Sequence, residues 1–169
     1  DRTNTLFNGA DSVRNGRFAF SFVVPKDINY SDGRGLINIH AVSDDHLLEA
    51  HGAEDNFLVG GTDDNELDSL GPKIYCYLNT PQFENGGNVN TTPYFVARLS
   101  DDDGINAAGN GIGHDLQLIV DGSPAMTYNL NDYFAYDFGT YQSGSVSYSL
   151  PELEPGSHSL LFRAWDVLN

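Results

Sequence analysis

The residues best suited to chemistry lie in one polar, glycine-rich stretch, residues 100–115, which reads SDDDGINAAGNGIGHD. Calcium takes about six to eight oxygen ligands, and carboxylates, amides and loop carbonyls supply them. The candidate ligands are Asp101, Asp103, Asn106 and Asp115. Their spacing differs from an EF-hand loop, because the glycine comes early and no terminal Glu follows. The alternative is a solvated acidic loop that holds no ion.

His114 and Asp115 close this stretch and lead into an apolar run. The two could form an acid/base pair, but adjacent residues of a strand point to opposite faces. We therefore expect a structural role, in which their side chains tie the long loop to the sheet. Trp165 and Asp166 lie on the last apolar run, on opposite faces by the same alternation, and are also predicted to be structural.

No residue of the chain is predicted to be catalytic. A thiol peptidase needs a thiolate in an electropositive, partly exposed setting. Alternation places the single cysteine, Cys76, with Ile74 and Leu78 on a core face, so we expect it to be buried and unreactive. His46 and His51 suit neither helical nor finger-type ligation, so a zinc site is not expected.

An aromatic run with interspersed Asn and Asp extends from Tyr133 to Tyr141. Exposed aromatic rings beside carboxylates are typical of sugar-binding faces. Packing of the same rings beneath a loop explains them equally well, and we favour packing.

The composition excludes several partners. The chain has 169 residues, of which 40% are hydrophobic, as in globular domains. Its net charge of -16 repels nucleic acid and anionic membranes. No signal peptide is visible, and no apolar run is long enough to span a bilayer. One cysteine cannot form an internal disulfide. We interpret the chain as a mature or excised piece of a larger protein.

Short alternating runs separated by Gly, Pro and Asn predict an all-β fold. Residues 43–55 are predicted to be a polar loop, and residues 129–134 a helical turn. The predicted strands are residues 17–24, 36–42 and 57–59, followed by 74–78, 94–99, 116–120, 126–130, 145–150 and 158–166.

The acidic, turn-rich residues 62–71 are the predicted domain boundary. Residues 1–62 form a partial β unit, completed by upstream sequence or by packing on the second unit. Residues 72–169 have the strand spacing of an immunoglobulin-like antiparallel β-sandwich.

An ordered set of short strings resembles the PorU family, the gingipain-like sortases (signal peptidases) of the type IX secretion system of Bacteroidetes. The resemblance runs over nearly the whole chain. The strings are NGRFAFSFVVPKDI from Asn15, DSLGPKI from Asp68, DGIN from Asp103, GIGHD from Gly111, LNDYF from Leu130, GSHSL from Gly156 and AWDV from Ala164.

The resemblance implies an exported protein associated with the outer membrane or cell surface. Its parent would remove sorting signals from secreted cargo and attach the cargo to lipopolysaccharide. The family's Cys-His pair has no counterpart here, so the chain would be a non-catalytic accessory region, acting as scaffold or docking module. Its implied partners are the upstream peptidase domain of the same parent and other secretion-system surface proteins.

Two other functions stay open at this point. The first is a calcium-stabilised adhesion or glycan-binding module of a bacterial surface protein, in which the acidic stretch would hold the ion. The second is a free-standing enzyme, which Cys76 on a core face disfavours.

Overall fold

The computed structural model describes residues 5–26, 28, 33–61, 69–109 and 113–168. Within these residues the chain forms antiparallel strands and two short 3-10 turns, so the all-β fold class is confirmed. The strands are β1 Ile37–Val42, β2 Glu49–Glu54, β3 Lys73–Leu78, β4 Tyr94–Ser100, β5 Gln117–Val120, β6 Thr127–Asn129, β7 Phe134–Tyr136, β8 Ser143–Ser149 and β9 Leu160–Arg163. The turns are Pro124–Met126 and Asn131–Tyr133.

Two of the three sheets form a sandwich. One sheet has the strand order β3-β4-β8-β7 and the other β6-β5-β9, while β1 and β2 pair as a separate hairpin. Ring contacts join the two larger sheets: Phe95 of β4 lies 5.3 Å from Phe162 of β9, and Tyr128 of β6 lies 5.4 Å from Tyr148 of β8. The core therefore lies between these sheets.

Period-2 alternation explains why these segments become strands of a sandwich. In β4 the side chains of Phe95, Ala97 and Leu99 are buried, whereas the residues between them are less buried or exposed. Leu118 and Val120 of β5 are completely buried against them. Each fully buried aliphatic or aromatic side chain of this kind stabilises the fold by about 1.5–3 kcal/mol.

The predicted strand at residues 17–24 is wrong as a hydrogen-bonded strand. Among the described residues, its one bridge joins Arg17 to Arg14. The alternation itself is real, because the rings of Phe18, Phe20 and Phe22 stack in a row with centroids 6.4 and 6.3 Å apart. The side chains thus share one face, as the sequence predicted, but no strand in the part of the chain that the structure describes pairs with their backbone.

Strand β2 corrects the predicted loop at residues 43–55. Its sequence, EAHGAE, has no apolar alternation, and all six of its residues are exposed. It forms because β1 pairs with it in register, from Ile37 opposite Glu54 to Val42 opposite Glu49. At residues 57–59, where a strand was predicted, the structure has a single β-bridge between Leu58 and Arg34. Strand β7 was not predicted.

The N-terminal residues contact the sandwich. The Gly139 amide donates to the Ala10 carbonyl at 2.9 Å, and the Lys26 amide donates to the Val167 carbonyl at 3.0 Å. The ring of Phe7 lies 4.9 Å from that of Tyr136 in β7. Residues 62–68 of the predicted boundary lie outside the described residues, so the division into two domains stays a prediction.

The prediction that Cys76 is buried is wrong, because the residue is exposed. The predicted face is nevertheless correct: Cys76 lies opposite Ala97 of β4 and Ile74 opposite Leu99, on the side facing the core. β3 is the edge strand, and the facing sheet has only three strands. Ile74 is consequently 42% exposed while Leu99 is 2% exposed.

We predict that Cys76 reacts with a thiol reagent in the native chain. Partial burial raises the pKa of the Cys76 thiol, so the labelling rate should rise steeply as the solution is made alkaline. Labelling is followed by mass spectrometry with and without denaturant. A thiol that reacts only in the denatured chain would contradict the exposed edge of β3.

Candidate functional site

A cluster of two histidines and one glutamate lies on the β1–β2 hairpin. His40 and His51 are directly opposite each other across the two strands, and Glu49 stands two residues before His51 on the same face. The imidazole rings are nearly parallel, with an interplanar angle of 6° and centroids 4.4 Å apart. The Glu49 carboxylate lies beside both rings, and we call these three residues the hairpin cluster.

Metal-ligating side chains converge at the hairpin cluster. Among the described residues, the hairpin cluster is the group in which three His, Cys, Asp or Glu side chains have ligand atoms within 4.8 Å of one another. The sequence analysis missed this arrangement, because it considered the spacing of His46 and His51. The cross-strand partner of His51 is His40. Only the hairpin register reveals that neighbour.

Two of the predicted calcium ligands, Asp101 and Asn106, accept hydrogen bonds from backbone amides of the acidic stretch. Asp101 Oδ1 accepts hydrogen bonds from the amides of Asp103 and Gly104 at 2.8 and 3.3 Å. Asn106 is 2% exposed, and its Oδ1 accepts from the Ala108 amide at 3.3 Å. These bonds fold the acidic stretch into turns. Calcium binding there stays a prediction.

Asn131, which the sequence analysis did not select, ties the long loop to the sandwich. Its Oδ1 accepts from the Leu116 amide at 3.1 Å, and its Nδ2 donates to the Ala107 carbonyl at 3.1 Å. Gly109 approaches the same side chain with a positive φ of 63°. Leu116 is fully buried, so its amide depends on this partner.

The predicted structural residues lie where the last strand meets the loop. The His114 ring lies 4.6 Å from the Trp165 ring at 49°. The Asn106 amide donates to the Trp165 carbonyl at 2.9 Å. Asp166 is fully buried, and its Oδ1 accepts from the Leu168 amide at 2.6 Å.

Asp115 differs from the other predicted structural residues. Its Oδ1 is buried and has no hydrogen-bond partner among the described residues. The carboxyl lies close to Gly109 and Asn131. The predicted tie between loop and sheet is thus made by the Asn131 amide, while the role predicted for the Asp115 side chain stays a prediction.

The aromatic run divides into a packed and an exposed part. Tyr136 donates its hydroxyl to the Ile105 carbonyl at 2.7 Å, and burial raises the pKa of Tyr136 to about 12. Phe134 packs edge-on against Tyr136 at 4.8 Å. Tyr133 and Phe138 are 52% and 68% exposed. Packing therefore accounts for the centre of the run and leaves two separated rings on the surface.

His158 joins two loops that are distant in sequence. Its Nδ1 lies 2.7 Å from Asp121 Oδ2, and its Nε2 lies 2.7 Å from the Glu154 carbonyl oxygen. A carboxylate and a carbonyl only accept, so both ring nitrogens carry protons when both bonds form. The Glu154 carbonyl and then Asp121 raise the pKa of His158, and His158 in turn lowers the pKa of Asp121.

Comparison with solved structures gives one informative relative. Over 88% of its length, the chain resembles the crystal structure of dimeric latent PorU from Porphyromonas gingivalis, with 38% sequence identity and a TM-score of 0.59. It spans 14% of that PorU chain. The resemblance to PorU drawn from the sequence strings is thereby confirmed. No family model and no curated protein matches the chain. No helix in the described ranges has the length and apolar character needed to cross a membrane.

We predict that Asn131→Ala destabilises the fold by about 1–3 kcal/mol, because it leaves the buried Leu116 amide and the Ala107 carbonyl without their partner. Asn131→Asp should cost less, since it keeps the acceptor for Leu116. Urea unfolding measures both, with Asp132→Ala as the control on the same exposed turn. An Asn131→Ala variant as stable as this control would contradict a stabilising role for the two hydrogen bonds of Asn131.

The His158–Asp121 pair should stabilise the chain only within a pH window. The raised pKa of His158 gives stability that is complete below its ordinary value of 6.5 and lost as the pH rises through the folded value. The lowered pKa of Asp121 gives stability present above 3.8 and lost as the pH falls through its folded value.

A double-mutant cycle with His158→Gln and Asp121→Asn, unfolded in urea at several pH values, measures this coupling. We expect the coupling to be largest between the two ordinary values and to shrink in alkali. A coupling that does not vary with pH would show that the pair does not titrate as described.

Proposed function

We propose that this chain is a non-catalytic accessory region of a longer gingipain-like cysteine peptidase, a type IX secretion sortase, in which it acts as scaffold and docking module for the rest of the parent chain. The similarity to PorU, at 38% identity over 88% of the chain, carries the proposal. The parent would be an exported protein of the bacterial cell surface. Because the chain spans 14% of the PorU chain, most of such a parent lies outside these residues.

The environment of Cys76 supports a non-catalytic role. A catalytic cysteine has a lowered pKa and a base within hydrogen-bond reach, whereas partial burial raises the pKa of Cys76. The histidines have other neighbours: His114 packs on Trp165, and His158 bonds to Asp121. The other three are His40, His46 and His51, on the β1–β2 hairpin and its turn.

A row of aromatic rings supports the docking role. The row consists of Phe7, Phe22, Phe20 and Phe18, stacked in that order with Phe7 on Tyr136. Phe18 is 50% exposed and Phe20 is 44% exposed, at the end of the row away from Tyr136. Exposed rings in a contiguous row are typical of a surface that another protein segment covers.

The occupant proposed for the aromatic row is the upstream part of the same parent chain. Residues 17–24 alternate as a strand does, yet among the described residues they lack a ladder partner. A backbone of this kind accepts an added strand through its free amides and carbonyls. An upstream strand would satisfy the backbone and cover Phe18 and Phe20 in the same step.

The test uses the full parent protein. Cys76→Ala should leave removal of cargo sorting signals unchanged, because Cys76 takes no part in the chemistry. Phe18→Ser with Phe20→Ser should make the parent markedly more sensitive to limited proteolysis, because it removes the covered apolar contact. In the isolated chain the same double variant should change stability little, since both rings are already about half exposed.

Leu47→Ser with Leu48→Ser is the matched control, because these residues are 79% and 73% exposed in the turn of the hairpin. If the phenylalanine variant affects parent and isolated chain equally, the aromatic row is not a docking surface. Loss of cargo processing in the Cys76→Ala parent would show that the chain contributes to catalysis and would overturn the accessory role.

A further inference from the structure

The hairpin cluster has a geometry that hydrogen bonding does not explain. Glu49 Oε2 lies 3.7 Å from His40 Nε2 and 3.9 Å from His51 Nε2. Both separations exceed the usual N–H···O range of about 2.7–3.2 Å. The two ring nitrogens thus converge on one carboxylate oxygen without a hydrogen bond to it.

We propose that the hairpin cluster is a binding site for a divalent transition-metal ion of the Zn²⁺, Ni²⁺ and Cu²⁺ class, held by His40 Nε2, His51 Nε2 and Glu49 Oε2. Two imidazoles and one carboxylate form a ligand set that these ions prefer, whereas Ca²⁺ and Mg²⁺ prefer oxygen ligands alone. Three protein ligands leave a position for water or for a donor from a neighbouring molecule.

The two separations that involve Glu49 Oε2 are close to those in a metal site, and all three ligand atoms lie within 4.8 Å of one another. With bonds of about 2.0–2.2 Å, two ligands of a tetrahedral zinc ion lie roughly 3.4 Å apart. The separations of 3.7 and 3.9 Å are a few tenths of an ångström longer than that value. The two rings are nearly parallel, so they must turn to bring a common ion into both ring planes. The side chains of His40, Glu49 and His51 are 51%, 60% and 71% exposed, which leaves room for this rotation.

The strand register holds the ligands together. His40 and His51 are directly paired, and Glu49 lies on the same face two residue pairs away, opposite Val42. An ion would take both imidazoles in their neutral form and would link β1 to β2 through one ring from each strand.

Metal binding would also stabilise the hairpin. A two-stranded sheet is marginally stable by itself in water, and every residue of β2 is exposed. An ion that joins β1 to β2 through side chains of both strands adds its binding free energy to the folded hairpin by mass action. The ion would hold the register of two strands that share few apolar contacts.

The experiment is a calorimetric titration of the 169-residue chain with ZnCl₂ near neutral pH. We expect one saturable site per chain. His40→Ala and His51→Ala should each weaken zinc binding by about tenfold or more, because each removes one of three ligands. Glu49→Gln should also weaken binding, since it removes the charged ligand. His46→Asn is the matched control, because His46 lies in the turn of the same hairpin with a φ of 58° that asparagine tolerates.

Hydrogen exchange gives a second, independent measurement. Zinc should slow exchange of the β1 and β2 amides in the native chain and in His46→Asn, but not in a His40→Ala, His51→Ala double variant. Circular dichroism confirms that the sandwich of each variant is folded. Absence of saturable zinc binding, or zinc binding that the His40 and His51 substitutions leave unchanged, would overturn the proposal.

Discussion

The burial of β4 against β5 and β9 is the interaction on which the rest of the structure depends. Phe95, Ala97 and Leu99 supply one side of this contact, and Leu118 and Phe162 supply the other. The core can extend only as far as the narrower sheet covers the wider one, and here three strands face four. The uncovered edge at β3 and the exposure of Cys76 follow from that mismatch.

The same contact explains where the polar groups lie. The chain must cross from β4 in one sheet to β5 in the other, and a crossing segment carries backbone groups that need partners. The Asn131 side chain and the backbone groups of Tyr141, Trp165 and Val167 provide these partners. Polar residues at the core boundary thus hold the architecture, while the side chains proposed to bind a metal ion are exposed on the hairpin.

Alternation in the sequence predicted which way side chains point, and in this respect it was reliable. Cys76 faces the core side and the three phenylalanines of residues 17–24 share one face, as expected. Alternation could not predict burial, because burial depends on what the opposite sheet covers. Strand β2 and the pairing of His40 with His51 also escaped prediction, because a strand without apolar alternation gives no periodic signal and its register appears only after folding.

The free edges of the sandwich also affect how copies of the chain associate with one another. Among the described residues, β3 and β9 each end a sheet with no further strand beside them, so their outer backbone groups can pair with another extended chain, including a second copy of this one. The charge of -16 keeps copies apart near neutral pH. That repulsion vanishes near the isoelectric point of about 4.2, where the edges can meet. Acidity therefore sets the solubility of the chain through its charge, while the sheet edges determine the form that its self-association takes.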